Sequence, residues 1–203
     1  MTNIEVIVAT GNKGKMKEIC EIGKSLPVTF KSLSDIWIKV PDIPETGLTF
    51  EENALLKSQW VYSRQNIVTL ADDSGLEIDQ LNGEPGVFSS RYAGIDCNYK
   101  RNIEKVLQKL AGIPLHNRSA RFRCVMVLLG PQIDRKTVSA VCEGTITTEP
   151  RGQHGFGYDS IFIPKGYNET FAEMDQSLKN KISHRGKALE LLKEELNEIF
   201  QEL

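Results

Sequence analysis

Residues 4–20, with the sequence IEVIVATGNKGKMKEIC, contain the pattern that decides the fold. The apolar run at residues 4–10 predicts a buried strand, and the glycines in residues 11–14 predict a turn after it. Met16, Ile19 and Cys20 then fall at helical spacing, which predicts a helix that follows the turn. A strand, a short turn and a helix in this order are typical of an α/β fold.

The rest of the chain alternates helices with strands at first and then becomes rich in strands. A capping-box pattern at residues 49–52 predicts a helix to about residue 64. An apolar strand at residues 67–71 runs into the acidic segment 72–75, after which residues 76–79 continue as strand. The other predicted elements are a helix at residues 98–111, a hairpin of strands at 120–129 and 137–147, a strand at 158–163 and a helix at about 184–200. We therefore predict an α/β fold with a mixed sheet, as one domain over residues 1–203 with two lobes around a cleft.

The composition limits the classes of partner. The formal net charge is -2 at pH 7, so the chain lacks the basic surplus of a protein that wraps duplex nucleic acid. The N-terminus does not match a signal peptide, and no stretch approaches the roughly 20 apolar residues that a membrane-spanning helix needs. The four cysteines are far apart and form no CxxC pair, which favours buried, reduced thiols. We expect a cytoplasmic protein with neither a nucleic-acid nor a membrane partner.

The segment Thr10-Gly11-Asn12-Lys13-Gly14-Lys15 is the first candidate for ligand binding. A helix that begins after such a turn presents backbone N–H groups and the positive end of its dipole, and both suit a phosphate. The spacing matches neither the P-loop nor the dinucleotide-binding fingerprint. Phosphate binding and a structural turn with solvated lysines both stay open at this point.

Asp72 and Asp73 follow an apolar strand and precede Ser74 and a glycine. Because adjacent strand residues point to opposite faces, we expect one carboxylate to meet a ligand and the other to brace the turn. An Asx-turn that simply ends the strand is the alternative. Mg²⁺ takes one or two protein carboxylates, and Glu45 with Asp73 would meet that number. Taken alone, Glu45 and Lys57 are also typical of solvated positions.

Two later segments carry groups that suit a flat base. In the run from Gly155 to Asp159, Phe156 can stack on a base or simply fill the core. Near Lys179, Ser183 predicts an N-cap that places His184 and Arg185 in the first turn of the last helix. Positive residues there oppose the helix dipole, which favours an anionic or carbonyl-rich partner.

Together these segments resemble the inosine triphosphate pyrophosphatase family, also called the Ham1 or non-canonical purine NTP pyrophosphatase family. Six matching pieces occur in the family's order and span nearly the whole chain: ATGNKGKMKEI, ETGLTFEENALLK, ADDSGLEIDQLNGEPGVFSSRYAG, RSARFRC, GFGYDSIF and KNKISHRGKAL. The sequence departs from many members at Ser160, where they have proline. Each piece alone is a weak signal, but six in order make the resemblance specific.

The resemblance implies a fold, a reaction and a set of roles. The fold is an elongated mixed sheet flanked by helices, with a nucleotide cleft between two lobes, usually in a homodimer. The reaction is Mg²⁺-dependent hydrolysis of XTP, dITP or ITP to the monophosphate and pyrophosphate. Asp73 would be the general base and would bind the metal with Glu45 and with the neighbouring Asp72. The remaining roles are phosphate contacts from Thr10, Gly11, Asn12, Lys13, Gly14, Lys15, Lys57 and Ser74, and base contacts from Phe156, Gly157, Tyr158, Asp159, Lys179, His184 and Arg185.

Three rival functions are compatible with parts of the pattern. A nucleotide-binding module without activity is disfavoured because all the named acids are present. The related Maf-like pyrophosphatases are disfavoured by the SHRG and GFGYD segments. A binder of single-stranded nucleic acid is disfavoured because the chain is acidic overall and poor in aromatic residues.

Overall fold

The computed structural model describes residues 4–95 and 97–202, with side chains described up to residue 196. In this part of the chain the α-helices are α1 (Lys13–Ile22), α2 (Leu33–Ile36), α3 (Phe50–Gln65), α4 (Tyr99–Lys109), α5 (Gln176–Ile182) and α6 (His184–Glu202). The strands are β1 (Ile4–Val8), β2 (Val28–Ser32), β3 (Thr69–Ile78), β4 (Ser119–Gly130), β5 (Ile133–Ile146) and β6 (Phe162–Pro164). Short 3-10 helices occupy Gly23–Ser25, Asp79–Leu81, Gly86–Arg91, Leu115–Asn117 and Asp159–Ile161.

The strands form one mixed sheet in the order β2-β1-β3-β4-β5-β6. β1 lies between β2 and β3 and is parallel to both, with Val8 opposite Ser32 on one side and Leu70 on the other. β5 and β6 are antiparallel. β4 and β5 are neighbours joined only by Pro131 and Gln132, and so short a connection permits only the predicted antiparallel hairpin. The predicted α/β class and mixed sheet are confirmed.

The chain divides into two compact units. Unit 1 consists of Met1–Asp73, Cys124–Ala140 and Arg185–Leu203, and unit 2 consists of Ser74–Arg123 and Val141–His184. The division therefore falls inside β3, β4 and β5 and at the start of α6. One domain over residues 1–203 with a cleft between lobes stays a prediction, and residues 1–3, 96 and 203 lie outside the described residues.

Each unit has its own apolar core. In unit 1, α1 and α6 pack on β1, β3 and β4 through buried residues that include Val6, Val8, Ile19, Leu70, Met126, Leu128, Ala188, Leu189, Leu192 and Leu196. In unit 2, α4 packs on the remaining parts of the long strands through Leu76, Ile78, Val106, Leu110, Ala120, Phe122, Ile146, Phe162 and Phe171. β1 is an interior strand with a neighbour on each side, and its buried residues Val6, Ile7 and Val8 are all apolar.

The acidic segment at residues 72–75 differs from its prediction. It was expected to interrupt the strand before residues 76–79, but β3 runs through it without a break from Thr69 to Ile78. Asp72 and Asp73 are both buried and both have cationic partners, so neither side chain needs a turn to reach solvent. Beyond them the backbone N–H of Leu76 donates to the Ser89 hydroxyl at 2.9 Å, which fixes the extended chain.

The strand predicted at residues 158–163 is also shorter than expected. A 3-10 helix occupies Asp159–Ile161, and only Phe162–Pro164 joins the sheet as β6. The N–H of Asp159 donates to the Phe156 carbonyl, and the N–H of Ile161 donates to the Tyr158 carbonyl. These local hydrogen bonds take the place of hydrogen bonds to a neighbouring strand. The remaining predicted elements differ by a few residues at their ends, and neither α2 nor α5 was predicted.

No helix among the described residues is both long enough and apolar enough to cross a membrane.

The N-terminus of α3 confirms the predicted capping box. Glu52 N–H donates to the Thr49 hydroxyl at 3.1 Å, and the Glu52 carboxylate accepts from Thr49 N–H at 3.2 Å. Glu52 also accepts from Leu48 N–H at 2.6 Å. The box fixes where α3 begins and therefore where Lys57, two turns later, lies on the helix.

We expect Thr49→Ala to lower the free energy of unfolding by about 1 kcal/mol, because the amide of Glu52 loses its acceptor. Urea denaturation measures the change. Thr49→Ser keeps the hydroxyl and is the matched control, which should stay close to the wild type. Equal losses in the two variants would show that the hydroxyl does not stabilise the helix.

Candidate active site

The predicted phosphate segment lies between β1 and the first turn of α1. The Asn12 side chain caps the helix, since its oxygen accepts from the N–H groups of Gly14 at 2.9 Å and Lys15 at 3.2 Å. Asn12 N–H in turn donates to the Thr10 hydroxyl at 3.2 Å. The cap already uses two helix amides, so a phosphate here would depend more on the lysine side chains than the sequence suggested.

Gly11 lies beside this cap with open space around it. A Cβ built at Gly11 would meet no atom of the described residues within 4 Å, and the backbone does not have a positive φ there. Neither crowding by other described residues nor the backbone conformation at position 11 therefore requires glycine there. The space suits the close approach of a ligand to the backbone. Lys13 is exposed in the same turn, as the phosphate prediction requires.

Lys57 joins two of the predicted acids within unit 1. Its ammonium donates to Glu45 Oε1 at 2.7 Å, to Asp73 Oδ1 at 2.8 Å and to the Asp72 carbonyl at 2.8 Å. Lys57 is only 5% exposed and Asp73 only 6%. The loop before α3, the middle of α3 and β3 thus place two carboxylates around one ammonium.

Burial and charge act against each other in this cluster. Burial raises the pKa of Asp73, and the attraction of Lys57 and Lys15 offsets only part of that effect. Burial alone would lower the pKa of Lys57, but Asp73 and Glu45 raise it above its usual value. Two carboxylates thus share the buried ammonium, and carboxylate oxygens held this close together suit a hard cation.

Asp72 points to a different set of partners, as the alternation of strand side chains predicts. Its Oδ1 contacts the Lys15 ammonium at 2.5 Å, and its Oδ2 accepts from Arg185 Nε at 3.0 Å and from the Cys124 thiol at 3.0 Å. Arg185 Nη1 also donates to Glu18 Oε2. These five residues form what we call the Asp72 network, which lies entirely in unit 1.

The Asp72 network is electrically paired, and all its members except the partly exposed Lys15 are buried. Asp72 is 0% exposed and Arg185 2%. Burial alone would raise the pKa of Asp72, but Arg185 and Lys15 outweigh it and hold this pKa well below its usual value. Burial and the nearby Asp72 raise the pKa of the Cys124 thiol well above its usual value, so the thiol stays a neutral donor. Asp72 is therefore an ionised anchor for two cations.

The basic start of α6 has anionic partners within the chain, whereas the sequence favoured a bound partner there. Arg185, in the first helical turn, pairs with the carboxylates of Asp72 and Glu18. The structure thus supplies these anions from the chain itself. Arg185 contact with a purine stays a prediction.

The predicted base-contacting residues of unit 2 surround one carboxylate. Asp159 Oδ2 accepts from Phe156 N–H at 2.8 Å and from the Lys179 ammonium at 2.6 Å. The Lys179 ammonium also lies over the Phe156 ring, 5.3 Å from its centroid. Gly155 has φ of +76°, and a Cβ there would lie 2.0 Å from Asp159 Oδ2, so only glycine allows this approach.

The other residues predicted in unit 2 are fixed by packing. Tyr158 is buried, and its hydroxyl donates to the Ser89 carbonyl at 2.8 Å. His184 is buried and stacks on Phe122, with ring centroids 4.7 Å apart and planes 10° from parallel. Gly157 has a positive φ, as the loop requires. Ser74, the first residue of unit 2, is half-buried on β3.

The predicted metal ligands do not form a three-carboxylate group. Within the described residues, no cluster of three or more His, Cys, Asp or Glu side chains is arranged to hold a metal. Glu45 and Asp73 do converge on Lys57, whereas the Asp72 carboxylate is held by Lys15, Arg185 and Cys124. The hard oxygen donors of Glu45 and Asp73 fit Mg²⁺, which needs only one or two carboxylates.

Comparison with known proteins identifies the family of this chain. The family model described as the Ham1 family matches residues 6–195. The chain belongs to the Ham1 family.

Relatives and solved structures agree with this membership. The chain is 49% identical to a dITP/XTP pyrophosphatase of Oceanobacillus iheyensis, with 96% of this chain and 99% of that protein covered. It is 50% identical to a dITP/XTP pyrophosphatase of Bacillus subtilis, with coverage of 93% and 94%. The Coxiella burnetii HAM1 protein superimposes with a TM-score of 0.85 at 43% identity, covering 96% of this chain and 99% of that one. The Staphylococcus aureus Ham1 protein gives 0.83 at 39% identity, covering 95% and 98%.

Sequence reasoning missed two members of the Asp72 network in this Ham1-family chain. Glu18 is a buried residue of α1 whose charge, read locally, is typical of a solvated helix face. Cys124 is buried as expected for a free cysteine, but its thiol also donates to Asp72. Cys97 is exposed, against the expectation of buried thiols, and Cys142 is buried. The only feature of the sequence that could have pointed to Cys124 was its place in the RSARFRC segment, which matches the family.

We expect Arg185→Met to lower the free energy of unfolding by about 3–5 kcal/mol, because Asp72 and Glu18 would lose a buried cationic partner. Chemical denaturation with circular dichroism measures the loss. Arg121→Met is the matched control: Arg121 pairs with Glu77, Asp79 and Glu143 at the surface of unit 2. Its loss should be at most about 1 kcal/mol. Equal losses would contradict a special contribution from the buried pair.

Proposed function

We propose that this chain is a nucleoside triphosphate pyrophosphatase that hydrolyses XTP, dITP and ITP to the monophosphate and pyrophosphate, and so removes non-canonical purine nucleotides. The observation that carries the proposal is the convergence of Glu45 and Asp73 on the buried ammonium of Lys57. Membership of the Ham1 family and the activity named for its relatives support the same reaction.

Glu45 and Asp73 are the residues that we propose to hold Mg²⁺. When bound, Mg²⁺ would stabilise the negative charge that develops on the phosphate oxygens. Lys57 contacts both carboxylates and therefore keeps them close together despite their repulsion. Asp72 has its own cationic partners, so its contribution to a metal site would be to anchor β3 rather than to donate an oxygen.

Asp73 would accept the proton of the attacking water at its carboxylate. The water oxygen forms a bond to the α-phosphorus, the bond from that phosphorus to the oxygen bridging to the β-phosphorus breaks, and pyrophosphate leaves. The pKa of Asp73 is raised by burial, which makes the carboxylate a stronger base than an exposed aspartate. Lys13 and Lys15 would bind phosphate oxygens near the cap of α1.

Base recognition is assigned to the group around Asp159. Asp159 holds the Lys179 ammonium, which would donate to the 6-keto oxygen of hypoxanthine or xanthine. Adenine has a 6-amino group, so its donor would meet the Lys179 donor and leave a buried polar group unpaired. Such mismatches can discriminate by about 10⁴. Phe156 would stack on the base, and His184 and Arg185 stay proposed contacts of the purine.

We also propose a homodimer in the cytoplasm, on the family resemblance. The described cysteines are all free thiols, which is typical of a reducing compartment.

The proposed reaction is tested by measuring pyrophosphate and orthophosphate release with Mg²⁺ from ITP, dITP, XTP, GTP, ATP and dTTP. We expect pyrophosphate from the first three and little product from the others. Tight ITP binding without release from any nucleotide would instead identify a nucleotide-binding module without activity. Orthophosphate as the product would contradict cleavage between the α- and β-phosphates.

We expect Asp73→Asn to lower kcat for ITP by about 10²–10⁴, because the amide cannot accept the proton from water. The near-equal shape of asparagine should leave the circular dichroism spectrum unchanged. Asp134→Asn, at an exposed position on β5, is the matched control and should keep full activity. Full activity of Asp73→Asn with Mg²⁺ present would rule out the general-base role.

A further inference from the structure

Phe156 has an aromatic neighbour to which no role has been assigned. Tyr99, the first residue of α4, has its ring centroid 6.3 Å from that of Phe156, and the two planes are inclined at 46°. Tyr99 keeps 38% of its surface exposed although it touches this ring. Both residues belong to unit 2. Two inclined aromatic planes at this distance form a corner rather than a stack.

The backbone segments that carry the two rings of the corner are held by separate parts of unit 2. The side chain of Asn98 caps α4 by accepting from Arg101 N–H at 3.1 Å, which fixes the turn that begins with Tyr99. The side chain of Asn102, one turn later, accepts from Ala93 N–H at 2.7 Å. Phe156 is instead fixed from its own loop, by the bond of its N–H to Asp159. The corner therefore does not depend on a single flexible loop.

We propose that Tyr99 is a second aromatic contact for the base of the nucleotide. A flat base that lies on Phe156 would present its edge to the inclined ring of Tyr99, and edge-to-face contact between aromatic rings is attractive. The Lys179 ammonium over the Phe156 ring places the proposed donor to the 6-keto group beside the same corner. This inference rests on the proposed function, because that function supplies the purine.

The contact has a defined kinetic signature. The base is remote from the α-phosphorus, so a contact with it is equally strong in the ground state and in the transition state. Loss of such uniform binding raises KM and leaves kcat unchanged. An edge-to-face contact of this kind is worth up to about tenfold in affinity when the ring is removed.

The experiment compares Tyr99→Ala with the wild type in ITP turnover and in ITP binding by calorimetry without metal. We expect KM and Kd for ITP to rise by up to about tenfold with kcat unchanged. Tripolyphosphate, which has no base, should inhibit both proteins equally. Tyr99→Phe keeps the ring and should behave as the wild type. Tyr167→Ala is the matched control, since Tyr167 is 39% exposed in unit 2 and has no ring contact with Phe156 among the described residues.

The outcomes separate this inference from the proposed function. Pyrophosphate release by the wild type with unchanged KM and Kd in Tyr99→Ala would overturn the role of Tyr99 and leave the proposed function intact. A weaker Kd in Tyr99→Ala would support the role even if turnover were absent. A parallel loss of tripolyphosphate inhibition would show a general disturbance of the site and overturn the base contact. No ITP binding by the wild type would overturn both proposals.

Discussion

The buried carboxylate of Asp72 is the constraint on which the rest of unit 1 depends. An ionised group with no access to water is tolerated only if cations and donors surround it. Lys15 brings the first turn of α1 to this carboxylate, Arg185 brings the start of α6, and Cys124 brings β4. Elements that are far apart in sequence therefore meet at one pair of oxygens. The position of the phosphate-binding candidate follows from where these cations must lie.

The residue of β3 that follows Asp72 belongs to a different cluster. Because successive side chains on β3 point to opposite faces, Asp73 joins Lys57 and Glu45 while Asp72 joins its own network. Lys57 also binds the Asp72 carbonyl, so the backbone between the two acids is itself held. The proposed general base is thus built on a rigid strand, which favours a precise orientation toward water.

Local patterns predicted the parts of this molecule that local chemistry controls. The cap of α3 at Thr49, the turn after β1 and the β4–β5 hairpin depend on residues close in sequence, and all were predicted. The pairing of Glu18 with Arg185 joins residues 167 positions apart, and no local pattern encodes such a contact. The turn expected at residues 72–75 is absent for a related reason, because cations from distant parts of the sequence form ion pairs with both aspartates within the strand. For the site residues, the family resemblance supplied roles that the structure alone does not test.

The equal numbers of charges in the Asp72 network have a consequence for the ionic environment. Lys15 and Arg185 match Asp72 and Glu18, and only Lys15 is partly exposed, so dissolved ions gain little by separating these charges. The Arg121 cluster of unit 2 is largely at the surface, where a Debye length of about 8 Å at physiological ionic strength weakens each pair. Concentrated salt should therefore act unequally within one chain, loosening the exposed pairs of unit 2 while the interior pairs of unit 1 keep their strength.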